Sequence, residues 1–220
     1  MPRRNRVDPW GDLHAVPARG LYTGNRGCLV DDAGRLTRHH NGSLWITCHT
    51  EFRDWKHPLD RPRTWTPLFF LDDAVALAAG HRPCGLCRRV DYLAFRDAVT
   101  LATVSDRPML AVELNRRLSA ERHRRGRGLI RAGDRILSSS DLGGLPTGTV
   151  VVHPVTCQPH LVTDRHLQPF TFDGWGPPSE RPHTVSIEVL TPATSVAALN
   201  NGFAPRLHPT AVDSQQQPSR

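Results

Sequence analysis

Hydrophobic positions along this chain come in short blocks, and few run long enough for one period to dominate. From Leu21 to Phe70 the texture is that of short strands and turns. Asp31-Asp32-Ala33-Gly34 and Asn41-Gly42 read as turns, with a strand of low apolarity from Arg35 to His40 between them. Ser43-Leu44-Trp45-Ile46-Thr47-Cys48 is rich in β-formers, and Thr66 to Leu71 is a second apolar strand. The period then lengthens to that of a helix. Asp72 or Asp73 can cap a short helix with Ala74, Val75, Leu77 and Ala78 on its apolar face; Gly80 stands at C′ and Pro83 blocks continuation. Arg88 to Thr103 predicts a longer helix, with Val90, Leu93, Ala94 and Leu101 along one side. A third helix is predicted from Asp106, with Pro108 in its first turn and Leu110, Leu114 and Leu118 repeating every four residues.

Past Arg124-Arg125-Gly126-Arg127-Gly128 the pattern turns to β, with strands predicted in Gly148 to His153, His160 to Thr163 and Thr184 to Leu190. The expected class is α+β: a small strand–helix unit, a helical middle and a β-rich second half. Residues 1–20, rich in Pro, Gly and Arg, read as a partly ordered arm. Residues 21–125 form the first domain with its helical extension. Residues 126–209 are either a separate domain or part of the same core. Residues 210–220, polar with a Gln run, read as a disordered tail. Asp73 to Pro83 also lines up with Ser195 to Pro205: both read strand, cap, helix, Gly, x, x, Pro.

Composition narrows the class. A chain of 220 residues can bury a core without disulfide staples. No run approaches the ~18 apolar residues of a membrane span, and no apolar segment follows the basic start Met1 to Arg6. A cytoplasmic protein without a membrane partner is expected. The formal net charge is +7, and Lys56 is the only lysine. A GC-rich genome accounts for the arginine bias; the sign of the charge independently makes a polyanion a plausible partner, DNA before RNA. Between Arg116 and Arg135 lie eight arginines against Glu121 and Asp134. This stretch reads either as a solvated helix face or as a phosphate-contacting strip. In the second reading the contacts are Arg116, Arg117, Arg124, Arg125 and Arg127, joined by Arg82, Arg88 and Arg89.

The five cysteines carry the sharpest signal. Cys84-Gly85-Leu86-Cys87 places two thiolates on one side of a tight turn, within reach of one tetrahedral metal. Cys28 and Cys48 are the economical further ligands, with His49, His57 and His81 as rivals for the fourth position. Soft thiolates favour zinc over magnesium or calcium. A redox dithiol and simple buried thiols are the alternatives, although no thioredoxin-like βαβ context surrounds the pair. Cys157 reads as a free, partly buried thiol.

Thr66 to Arg88, with its apolar strand, Ala-rich helix and Gly80-His-Arg-Pro83-Cys84-Gly-Leu-Cys87-Arg88, resembles the second half of the zinc-binding domain of Ada-type DNA methyl-phosphotriester repair proteins. The resemblance covers about 23 of 220 residues. It implies zinc held by Cys84 and Cys87 in a small zinc-stabilised unit. In that family two upstream cysteines spaced C-x-x-x-C complete the site, and one of them accepts a methyl group from the DNA backbone. Here Cys48 has Phe52 at that spacing, so the acceptor chemistry lacks its pair. The whole chain also resembles a family of uncharacterised bacterial metal-binding proteins, through Gly24-Asn25-Arg26-Gly27, Gly80 to Cys84, Val189-Leu-Thr-Pro and His208-Pro209. Three functions remain open: a zinc protein that binds nucleic acid through arginines, a DNA-repair or DNA-processing enzyme using Cys48 as alkyl acceptor or another site, and a zinc-stabilised protein-interaction module.

Overall fold

The structure is a computed structural model, described over residues 2–53, 64–103, 106–122 and 128–212. It has the expected α+β class, built on two sheets. The first sheet takes its strands from the first 83 residues: β1 (Arg6–Val7), β2 (Leu13–His14), β3 (Tyr22–Asn25), β4 (Ile46–His49), β5 (Leu68–Phe70) and β6 (Arg82–Pro83), in the order β2-β1-β5-β3-β4-β6. Residues 1–20, expected to be a loosely held arm, thus supply two strands. Val7 and Leu13 are buried in the core. Two-residue strands are too short to show an alternating period, so the sequence hides them. The predicted strand from Arg35 to His40 is reduced to a single bridge, Val30 to Leu36.

Helix α1 (Asp73–Ala78) begins as expected: the Asp72 side chain accepts from the Val75 N–H at 3.0 Å. It ends in a Schellman motif, with Gly80 N–H donating to Leu77 O and His81 N–H to Ala76 O, both at 2.9 Å. Gly80 has φ +83°, which suits glycine, and the Arg122 side chain lies against it. Helix α2 (Arg89–Ala102) follows the cysteine turn. Helix α3 (Ala111–Arg122) starts five residues later than Asp106, because the Glu113 carboxylate rather than Asp106 takes the Leu110 N–H, at 2.7 Å.

The second sheet holds β7 (Ser138–Asp141), β8 (Val150–Val152), β9 (Pro159–Val162), β10 (His166–Thr171), β11 (Gly174–Trp175), β12 (Ser179–Glu180) and β13 (Ser186–Val189), ordered β11-β10-β9-β8-β13-β7 with β12 also on β10. Helix α4 (Ala193–Asn200) follows β13 and closes as α1 does: Gly202 N–H donates to Leu199 O and Phe203 N–H to Ala198 O. The repeat between 73–83 and 195–205 is therefore a repeat of C-terminal capping geometry; the N-termini differ, with Asp72 capping α1 and Pro192 preceding α4. One hydrophobic cluster joins the two halves, combining Val7, Leu13, Tyr22, Leu68, Phe70 and the α1 residues with Val150, Leu161, Trp175, Leu190 and Ala211. The β-rich region packs on the first sheet and shares its core.

Candidate metal centre

Strand pairing builds the centre. β6 runs parallel to β4 with Ile46 beside Arg82 and Thr47 beside Pro83, so the next residues, Cys48 and Cys84, come out as neighbours. The Cys84 N–H donates to Thr47 O at 2.9 Å and continues the pairing by one residue. The turn through Gly85 and Leu86 then brings Cys87 back before α2 starts. The sulfurs of Cys48, Cys84 and Cys87 all lie within 4.8 Å of one another. Tetrahedral coordination with ~2.3 Å metal–sulfur bonds places sulfurs about 3.8 Å apart, so a small contraction suffices.

Backbone donors already face the thiols. Leu86 N–H points to Cys84 Sγ at 3.4 Å, Cys87 N–H also donates to Cys84, and His49 N–H donates to Cys87. Such donors stabilise negative sulfur. Thiol hydrogen bonds from Cys48 and Cys87 pull the Cys84 pKa far down, and the same sharing, with burial, pushes Cys48 up. Three thiols this close cannot all ionise without a cation among them, which is what a metal would supply.

Arg88 holds the turn in place. Its guanidinium is bidentate to Asp73 at 2.7 and 2.9 Å, donates to Thr47 Oγ1 at 2.9 Å and to Asp91 at 2.8 Å, and lies 3.9 Å from the Tyr22 ring centroid. One side chain thus ties the cysteine turn to β3, β4, α1 and α2. Burial opposes its charge, but Asp73 more than offsets this and holds its pKa above the ordinary arginine value. Arg88 is 2 % exposed, so its assignment as a phosphate contact is corrected: the site uses it internally. Arg82 is corrected likewise. It is 4 % exposed, donates to Asn115 Oδ1 and Pro83 O at 2.9 Å each, and packs over Tyr92.

Cys28 does not join the cluster. β3 and β4 pair antiparallel with Thr23 opposite Cys48 and Asn25 opposite Ile46. Cys28 lies five residues beyond Thr23, past the other end of this ribbon, and its thiol turns to Val30 O at 3.5 Å. Its proximity to Cys48 required the opposite register. His81 is also elsewhere, buried beside Phe70 and Trp45 and accepting at Nε2 from Arg26 Nε at 3.2 Å. The His49 ring leans toward Tyr22. His57 lies outside the described residues. Among the described residues, the cysteines that could together hold a metal are therefore Cys48, Cys84 and Cys87. Cys157 is exposed rather than partly buried, at a hairpin position with φ +55°.

The arginine stretch divides. Arg89, Arg116 and Arg117 are exposed; Arg122, Arg131 and Arg135 are buried; Arg124, Arg125 and Arg127 lie outside the described residues. A groove of about 560 Å³ lies away from the sulfurs, lined by Arg3, Arg4, Asp31, Asp32, Trp65 and neighbouring residues, none of them a cysteine. Comparison with protein-family models, with curated proteins and with solved structures returns no match. No helix among the described residues is long and apolar enough to cross a membrane.

Proposed function

We propose that the chain is a zinc protein, with Cys48, Cys84 and Cys87 as ligands, that binds nucleic acid through an arginine-bearing surface. The convergence of three sulfurs within 4.8 Å carries the metal reading. An all-thiolate donor set selects zinc over the hard divalent cations, and the resemblance of residues 66–88 to Ada-type zinc domains points the same way. Three protein ligands leave one position for water or another donor. Metal analysis of protein purified without a metal-affinity tag tests this. One zinc per chain is expected, lost with Cys84→Ser together with a large drop in melting temperature. Unchanged zinc content in that variant would overturn the assignment.

Support for the nucleic-acid partner is the net charge of +7 and the exposed Arg89, Arg116 and Arg117. With three phosphate contacts from these residues, log affinity for duplex DNA should fall against log salt with a slope of about −3. The double variant Arg116→Glu, Arg117→Glu should flatten the slope toward −1. Equal binding by both proteins, measured by fluorescence anisotropy, would assign these arginines to a solvated face. The repair-enzyme reading, with Cys48 accepting an alkyl group, is disfavoured by burial: Cys48 is 8 % exposed and its sulfur turns toward its two partners.

A further inference from the structure

Behind the first sheet, three arginines are buried without a carboxylate to hold them. Arg26 is fully buried, and Arg122 and Arg135 nearly so. Their hydrogen-bond acceptors are all neutral. Arg26 donates to Gly11 O at 2.7 Å and to the His81 ring at 3.2 Å, and the His39 ring lies alongside at 2.9 Å. Arg122 donates to Gly80 O and Ser43 O at 2.8 Å each. Arg135 donates to Ala78 O at 2.6 Å and Leu190 O at 2.7 Å. Gly80 and Ala78 belong to the C-terminal turn of α1, where cations are favoured, so the arginines have a structural reason to be here. They do not have enough counter-charge.

The nearest acids are Asp8 and Asp12, and both are engaged elsewhere. Asp8 takes the His14 ring and the Asp12 N–H; Asp12 takes the N–H groups of Arg131 and Ala132. Arg131 has its own acid in Asp134. The three guanidiniums outnumber the two nearest carboxylates, so buried positive charge is in excess. Burial pushes Arg26 down to about 9, Arg122 to about 8 and Arg135 to about 10; Arg135 adds to the lowering at Arg26, and Arg26 and Arg135 add to it at Arg122. A guanidinium keeps its proton in a protein, so the relief has to come from a negative partner.

Donors for such a partner are present. Arg26 Nη2 and Arg135 Nε and Nη1 are buried and have no hydrogen-bond partner among the described residues. Together they carry five N–H groups. Both side chains lie against the end of α1, Arg135 on Ala78 O and Arg26 beside Ala79. Gly11 leaves room next to Arg26: a Cβ built there would sit 3.6 Å from Nη2, 3.8 Å from Ala79 O and 4.0 Å from Ala79 Cβ.

We propose that the interior holds one monovalent anion of chloride size between Arg26 Nη2 and the Nε–Nη1 edge of Arg135. The anion supplies negative charge where buried positive charge is in excess, and an atomic ion can take donors from two side chains at once. The anion completes the junction between the end of α1, the Gly11 turn and the segment leading to β7. It is a structural ligand, separate from the thiolate centre, and does not depend on the reading of that centre.

The test uses the full chain as purified. Melting temperature is measured against chloride, with gluconate keeping ionic strength constant. Above the dissociation constant each tenfold rise in chloride should raise Tm by about 3–6 °C. Bromide should act like chloride, and crystals grown in bromide should show an anomalous peak in contact with Arg26 Nη2 and Arg135 Nη1. Arg135→Gln should abolish both the peak and the halide-dependent part of the stability. If that variant does not fold, the bromide crystal of the unaltered protein decides alone. Water density without anomalous signal at this position, or melting that follows ionic strength regardless of the anion, would overturn the proposal.

Discussion

Individual side chains in this protein are read best through what they bury against. Arg88 sits one residue past the cysteine pair, where an exposed cation would suit a polyanion, yet its fork is spent on Asp73, Asp91 and Thr47. Removing one partner of a buried pair leaves the other charge uncompensated, at a cost of about 3–5 kcal/mol. Arg88→Met should therefore lower stability by that order, seen as a shifted urea midpoint. Arg88→Lys should recover only part of the loss, because an ammonium cannot reproduce the bidentate fork. Equal stability of Arg88→Met and the parent would show that Asp73 finds another partner. Arg88 was not legible as a buried residue because its partners lie 15 and 41 positions upstream, on α1 and β4. Cys84 and Cys87 were legible because their geometry is local. Cys48 was legible only as a residue type; its place depends on the parallel pairing of β4 with β6, and the same dependence on register misplaced Cys28.

At the scale of elements, the two helix-ending glycines make a controlled comparison. Gly80 and Gly202 close α1 and α4 with the same pair of hydrogen bonds and with φ of +83° and +93°. Each should lose about 1–2 kcal/mol on substitution by alanine from backbone conformation alone. Their surroundings differ. A Cβ at Gly202 meets nothing within 4 Å, whereas one at Gly80 would come within 2.6 Å of Arg122 Cδ. Arg122 cannot swing aside freely, since it bonds Gly80 O and Ser43 O and stacks 3.8 Å from the Trp45 ring centroid. Gly80→Ala should thus cost more than Gly202→Ala, by a further 1–3 kcal/mol of overpacking, in paired denaturation curves. Matching losses would mean that the α3 end yields without cost. The places of the helices were largely legible, because caps and stop signals act within a few residues, but the buried side of α2 was not: Tyr92, Phe95, Ala98 and Val99 are buried, while Val90 and Leu101, read on its apolar side, are exposed. The late start of α3 was not, because Glu113 competes for the cap from inside the helix.

For the whole molecule, the decisive fact is the shared core. Asp72, the cap of α1, accepts from Trp175 Nε1 at 2.6 Å and from the His208 N–H at 3.0 Å, and Arg206 N–H donates to Asp73 at 3.0 Å. Residues 1–125 alone would leave these carboxylates short of donors and expose the face that Val150, Leu161, Trp175 and Leu190 cover. That fragment should show no cooperative thermal transition and little near-ultraviolet dichroism, even with zinc; a sharp transition would establish the first half as an independent domain. Sequence texture suggested a boundary near Arg124 to Gly128 because composition changes there, and composition is blind to which faces later meet. The same arrangement bears on how the chain is made. Synthesis delivers Cys48, Cys84 and Cys87 well before Trp175, Leu190 and Ala211. In that interval the nascent chain has all three sulfurs available but no finished core around them, so a metal at this site would be captured before the packing that fixes it.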